Sequence, residues 1–241
     1  DFVVLDNLTD LNVTDVFYKG KRLNEDAPIR VRPCSRTLKH TVHLDKVKPE
    51  RFLLPISKKK THVIEIHAGQ ITTTDLTISL PPTLNIEPFG GYSKIAAVER
   101  HHNTGKIGVA VAKGYGIKNG AVASSVSHDS HNIIVIGDND ADMAIAVNEI
   151  IRTQGGYTVV ENGKVYETLA LPIMGLMSDV GFENVNEALQ RMIQKAHQMG
   201  VAAQIDPFVT LSFLALPVIP ELRITPRGIC KMTAKGPVIL S

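Results

Sequence analysis

Two short runs of this sequence concentrate side chains able to move protons or hold a ligand: Glu99-Arg100-His101-His102 and His128-Asp129-Ser130-His131-Asn132. Imidazole, carboxylate and carboxamide groups this close together suit acid–base chemistry, a hydrogen-bonded ligand site, or a metal of the zinc or manganese kind. A metal is the demanding option, because at least three ligands must converge on it at about 2 to 2.3 Å. His128 and His131 are the candidates for it, yet in an extended strand they would face opposite sides, so sharing an ion requires a turn between them. The second run lies within Ser124 to Gly137 and leads directly into four β-branched residues, Ile133 to Ile136. That apolar run reads as a strand buried on both faces, an element that would hold the preceding polar loop in place. The plainer alternative is a turn whose Ser, Asp and Asn side chains cap the neighbouring backbone. If the strands that end at Glu99 and begin at Ile133 are neighbours, the two runs converge into one polar network, able to contact a ligand bound elsewhere.

Several chemistries are excluded by what the chain lacks. There is no GxxxxGK[ST] phosphate loop, and Gly114-Tyr115-Gly116 does not extend to GxGxxG, so cradling of nucleotide phosphates has no support. No GxSxG elbow is present for a serine hydrolase. None of the nine histidines is followed two positions later by glutamate, which removes the zinc deaminases of the cytidine type. No HxH pair occurs either.

The elements that must position the polar runs can be read from periodicity and punctuation. Val63 to Ile66, Ile71 to Leu80, Lys94 to Glu99 and Lys106 to Ala112 read as strands, with Pro81-Pro82 ending the second. Met143, Ala146, Val147, Ile150 and Ile151 form one helical stripe, capped by Asn139 and stopped by Gly155. A second stripe runs through Val185, Leu189, Met192, Ile193, Ala196 and Met199, with Asn184 and Glu187 as an expected capping pair and Gly200 as terminator. Asn162-Gly163 between Tyr157–Val160 and Lys164–Thr168 signals a β-hairpin. The tail from Asp206 to Leu222, broken by Pro217 and Pro220, is apolar enough to be partly buried or to cover a neighbouring domain. Strands, helix, hairpin, helix and a final strand together predict an α+β fold, a mainly antiparallel or mixed sheet covered by two main helices. The strand, turn and helix from Asn132 to Gly155 could alternatively be half of a parallel βαβ unit.

Residues 1–24 read as a hairpin module turning at Lys19-Gly20-Lys21, too small to be stable without a sheet supplied from elsewhere. The sequence opens directly on the strand-like run Asp-Phe-Val-Val-Leu, as the middle of a longer protein would. Residues 25–61 read as a basic linker before the domain at 62–241. Between 19 and 60 there are thirteen Lys and Arg against Glu25, Asp26, Asp45 and Glu50, although the whole chain carries only +2. With Phe52 as the lone aromatic there, base-stacking platforms are missing, so no nucleic-acid partner is expected and a solvated linker or an acidic docking partner fits better. Cys34 and Cys230 form no CxxC pair and read as free thiols. No apolar run approaches the ~20 residues of a membrane span, and no secretory leader opens the sequence, so no membrane partner and a cytoplasmic location are expected.

Long ordered stretches also resemble a known family. Ala97-Val98-Glu99-Arg100-His101-His102, Ala123 to Val135, Leu171-Pro-Ile-Met-Gly-Leu-Met-Ser-Asp179 and Asp206 to Pro220 are similar to the C-terminal domain of the bacterial and archaeal type of adenine deaminase. The likeness covers nearly all of residues 62–232, and residues 1–24 resemble the last strands of the small β-domain that accompanies an amidohydrolase barrel. The resemblance implies a parent hydrolase that converts adenine and water to hypoxanthine and ammonia, using manganese or iron held in that barrel. The barrel is absent from this sequence, so no barrel ligand can be placed on it and the chain alone is expected to be inactive, with no cofactor of its own. Glu99, Arg100, His101, His128, Asp129, His131 and Asn132 are then candidates to support an active site at the barrel interface. The alternative role is binding or assembly, within a homo-oligomer.

Overall fold

The computed structural model describes residues 1–23, 33–57, 60–83, 85, 88 and 90–240. It divides into two compact units, residues 1–34 and 35–241. In the first, β1 (Phe2–Leu5), β2 (Val13–Tyr18) and β3 (Lys21–Arg22) form a three-stranded antiparallel sheet. Lys19 and Gly20 both take positive φ in the connection of β2 to β3, the geometry of a tight hairpin turn. Apart from the stacked rings of Phe2 and Phe17, this sheet buries little: Phe2, Val3, Leu8, Leu11, Val13, Tyr18 and Leu23 are exposed.

The second unit is built on an eight-stranded mixed sheet. Its strands are β4 (Lys60–Ile66), β5 (Thr73–Ser79), β6 (Tyr92–Val98), β7 (Ile107–Lys113), β8 (Gly120–Ser124), β9 (Ile133–Gly137), β10 (Gly156–Glu161) and β11 (Lys164–Ala170). Their spatial order is β11-β10-β8-β9-β6-β7-β4-β5, and only the β4–β7 pairing among neighbours is parallel. Three α-helices accompany the sheet, α1 (Asp140–Thr153) between β9 and β10, and α2 (Phe182–Gln198) and α3 (Pro207–Leu214) after β11. A small antiparallel meander of β12 (Leu222–Thr225), β13 (Gly228–Thr233) and β14 (Gly236–Ile239) closes the chain. The α+β expectation therefore holds. The βαβ alternative also has substance, because β9 and β10 both pair antiparallel with β8 and so run in the same direction, with α1 crossing between them.

The β9 run explains why the centre of the sheet is rigid. Ile133 and Val135 pack with Met143, Ala146, Val147 and Ile150 of α1, whereas Ile134 and Ile136 join the core made with Met192 and Ala196 of α2 and Phe208 and Leu211 of α3. Successive side chains alternate between two apolar layers, so a continuous β-branched run is what the position requires.

Some expectations shift. Asn139 does cap α1, its side chain accepting from Asp142 N, but α2 starts at Phe182 with Gly181 as its cap, ahead of the expected Asn184. The tail does not wait for a neighbouring domain: Phe208, Leu211, Leu214, Leu222 and Ile224 are buried in this unit's own core. It contains a helix that periodicity missed, and the missed signal was local. Asp206 Oδ1 accepts from Phe208 N and Val209 N at 2.9 and 2.8 Å, and Pro207 occupies the first turn, a start suited to both residue types.

Residues 25–32, 58 and 59 of the expected basic linker lie outside the described residues. Of the rest, 35–57 packs onto the sheet within the second unit, and Lys60 and Thr61 begin β4. Val42, Val47 and Phe52 are buried beside α1, and Val47 exchanges two 2.8 Å hydrogen bonds with the Asn148 side chain. Charge counting obscured this because the basic residues are interleaved with an apolar set that turns inward. Among the described residues no helix is long and apolar enough to cross a membrane.

Candidate functional site

Register brings the two polar runs together. β6 and β9 are antiparallel neighbours with Val98 opposite Ile133, so the residues leaving β6 and those entering β9 lie side by side. Arg100 N donates to Asn132 Oδ1 at 3.4 Å, and His101 Nε2 lies 2.8 Å from Ser130 O. The convergence that the sequence made conditional on strand pairing is present.

Arg100 is the joint of this arrangement. Its guanidinium is buried and donates to His131 O through Nε, to Thr41 O and Thr41 Oγ1 through one terminal nitrogen at 3.0 and 3.2 Å, and to Met174 O through the other at 3.0 Å. Three separate chain segments are thus pinned to one side chain. All the acceptors are neutral oxygens, and burial pulls the guanidinium pKa down to about 10, still protonated at neutral pH. Gly175 makes room for it. A Cβ there would lie 2.7 to 3.0 Å from the guanidinium atoms, and its φ of +72° is the left-handed region that glycine occupies freely.

Glu99 serves its own loop. One carboxylate oxygen accepts from His101 N and His102 N at 2.6 and 3.0 Å, and the other accepts from Thr104 N and Thr104 Oγ1 at 3.1 and 2.9 Å. Burial pushes this carboxyl's pKa up, but the donors of Thr104, His101 and His102 outweigh it and hold the group below its ordinary 4.5. A depressed folded pKa contributes stability that is present above the unfolded value and is lost as pH falls through the folded one. Acid titration of the melting temperature of the protein should therefore drop below about pH 4.5, and Glu99→Gln should be less stable at pH 7 and show a shallower drop. An acid profile of the variant superimposable on wild type would contradict this role.

The second run forms a loop braced from below. Ser127 Oγ donates to Asn132 O at 2.5 Å, His131 N donates to Ser127 O at 2.6 Å, and His128 N donates to Ser212 O of α3 at 3.1 Å. Ser125 adds a further brace, accepting from Gly156 N at 2.8 Å and donating to Gly175 O at 2.6 Å. His131 takes a left-handed φ of 48°, uncommon for a residue with a Cβ. This supplies the turn that histidine convergence needed, and the rings of His128 and His131 come to 6.1 Å between centroids, with Phe213 5.0 Å from His128.

Two histidines are not three ligands. Among the described residues no group of three or more His, Cys, Asp and Glu side chains comes together to hold a metal, and the two imidazoles do not by themselves fit one. What the loop presents outward is the Asp129 carboxylate, with the half-buried His131 imidazole behind it. Asp129 is exposed, and Nδ1 of His131 is buried with no hydrogen-bond partner. Such an orphaned group is uncommon and costs about 1–3 kcal/mol. Burial, reinforced by the nearby His128 and Arg100, lowers the His131 pKa, with Asp129 acting the other way, so the neutral imidazole is favoured. His102, the last of the first run, is exposed beside the site.

Thr41, Ser125, Gly175, Ser212 and Phe213 were not singled out from the sequence as site residues. Gly175 had a visible signal, an isolated glycine between methionines in an apolar stretch, whereas the contribution of Thr41 depends wholly on tertiary packing.

Comparisons with known proteins bear on the family of the chain. Residues 70–235 match the model of the adenine deaminase C-terminal domain. The adenine deaminase of Desulfitobacterium hafniense (strain Y51) is 46% identical over 230 residues, which cover 95% of this chain and 40% of that protein. The adenine deaminase of Nitratidesulfovibrio vulgaris (strain DP4) is 40% identical over 235 residues, 95% of this chain and 41% of the relative. Adenine deaminase 2 of Carboxydothermus hydrogenoformans is 37% identical over 257 residues, all of this chain and 43% of the relative. The chain spans about two fifths of the length of these relatives, and with the family model matched over residues 70–235, more than half of it, the chain belongs to the adenine deaminase C-terminal domain family.

Proposed function

We propose that this chain is the C-terminal part of an enzyme that converts adenine and water to hypoxanthine and ammonia, and that its His128–Asn132 loop supports the active site of an upstream amidohydrolase-type barrel. The observation that carries the reading is the contrast within that loop. Its backbone is tied to Arg100, Ser127 and Ser212, while Asp129 is exposed and His131 Nδ1 has no partner. A braced backbone that carries an exposed carboxylate is how a binding or catalytic group is presented to something outside the fold, and the unpartnered His131 nitrogen just beneath it keeps an imidazole in reserve beside that carboxylate.

Replacing an amino group by oxygen requires protons to be taken from water and delivered to departing ammonia. A neutral imidazole and an adjacent carboxylate suit that traffic, or suit holding the acid or base that performs it. In this reading, which follows the resemblance, the manganese or iron belongs to the upstream barrel, and no step is assigned to it. The reaction then depends on two parts of one polypeptide. A full-length protein is expected to release ammonia from adenine, and residues 1–241 alone to release none. Ammonia release by the isolated chain would overturn the upstream-barrel part of the reading, and a full-length protein inert toward adenine would overturn the substrate.

A further inference from the structure

Beside the polar loop lies a surface that the fold leaves uncovered. Leu38, Met174, Met177, Val180 and Phe182 are 40%, 43%, 50%, 54% and 70% exposed, respectively. They form an apolar lip around the turn that precedes α2. The lip is built, not slack. Ile173 and Met177 exchange backbone hydrogen bonds at 3.1 and 3.0 Å, Met174 N donates to Leu38 O at 2.6 Å, and Lys39 Nζ lies 2.6 Å from the Asp179 carboxylate. That ion pair cancels two of the lip's charges, the exposed Arg36 and Glu183 beside it being one of each sign, and it holds the Asp179 carboxyl below its ordinary range. Fixing large apolar side chains in water brings this domain no burial, and exposed apolar surface clustered on one bonded turn marks an interaction site.

We propose that this lip is the docking surface for the part of the same polypeptide that precedes this family domain in the longer relatives. Three observations choose that occupant. The matched region is only 40–43% of each relative named above, so a larger body on the same polypeptide is tethered to this domain at high effective concentration. Arg100 donates both to Met174 O of the lip and to His131 O of the polar loop, so the two share one edge and whatever meets the loop meets the lip. The self-neutralised charges suit an apolar protein surface and offer nothing to a phosphate backbone. In the second of these observations the proposal rests on the reading that the His128–Asn132 loop faces the upstream domain. It adds a hydrophobic seal, which would shed water from the edge of a hydrolytic site.

Thiol accessibility in the full-length protein tests it without using turnover. Met177→Cys and Phe182→Cys place reporters on the lip. Lys164→Cys places a control on the exposed β10–β11 hairpin, whose tip lies at the end of the sheet opposite the polar loop. Alkylation by a maleimide, followed by mass spectrometry of the individual peptides, gives each rate. Lip thiols should react about 100-fold more slowly than the control, as side chains exposed only by local opening do, and equally slowly at every protein concentration. Lip rates matching the control would overturn the proposal. Protection that disappears on dilution to monomer would assign the lip to a second copy of the chain and overturn it too. Protected lip thiols combined with unimpaired turnover in Asp129 variants would leave the docking surface standing and remove the catalytic role of the loop.

Discussion

Arg100→Met is expected to lower the unfolding free energy by about 3–5 kcal/mol, the largest stability loss that any single change at the site should cause. The guanidinium serves His131 O, Thr41 O and Met174 O, three carbonyls from segments that share no secondary-structure ladder with one another. Hydrogen bonds from a charged donor contribute about 1.5–3 kcal/mol each, and methionine leaves the acceptors without a partner in a space too tight for ready hydration. Part of the loss is recovered because the variant no longer buries a charge, which sets the estimate below the simple sum. Arg100→Lys should recover little, since a single ammonium cannot reach three directions as the planar fork does. Urea unfolding of both variants checks this, and a loss under about 1 kcal/mol for the methionine variant would show that the joint is not structural.

The position of Arg100 shows how far sequence reasoning reaches. Its membership in a polar run was legible, as was the buried strand at Ile133–Ile136 beside it, because one depends on residue type and the other on an unbroken β-branched pattern. The pairing of β6 with β9 was legible only as a condition, since period-2 patterns define faces and not neighbours. Thr41 lies 59 positions from Arg100 in a segment whose charge density suggested a solvated linker. Nothing local announces that Val42, Val47 and Phe52 fold inward and carry Thr41 with them. Glu99 illustrates the opposite limit: a carboxylate beside histidines suggested chemistry, whereas its oxygens are engaged by the backbone of its own turn. Helix α3 escaped because its short apolar sequence buries more than one side, which erases the periodicity on which helix detection rests. Asp206-Pro207 remained as the only local mark of its start.

The second large effect is on turnover. In the full-length protein, Asp129→Asn should reduce kcat for adenine deamination by about 100-fold, the usual range for losing a positioned proton-transfer group. Stability should change by less than about 0.5 kcal/mol, because the side chain is exposed and away from the bonds that brace the loop. Asparagine keeps the size and removes the charge and the proton affinity, so a loss confined to kcat points to chemistry and a rise confined to KM to binding. His131→Asn removes the orphaned Nδ1 and should lower kcat by a comparable factor, provided the Arg100 contact to the residue 131 carbonyl survives.

The measurement that bears most directly on the role assigned to this domain is kcat of the full-length Asp129→Asn enzyme beside wild type, at matched melting temperature. A fall of about 100-fold is expected if the loop acts within the active site of the upstream barrel, and wild-type turnover would contradict it.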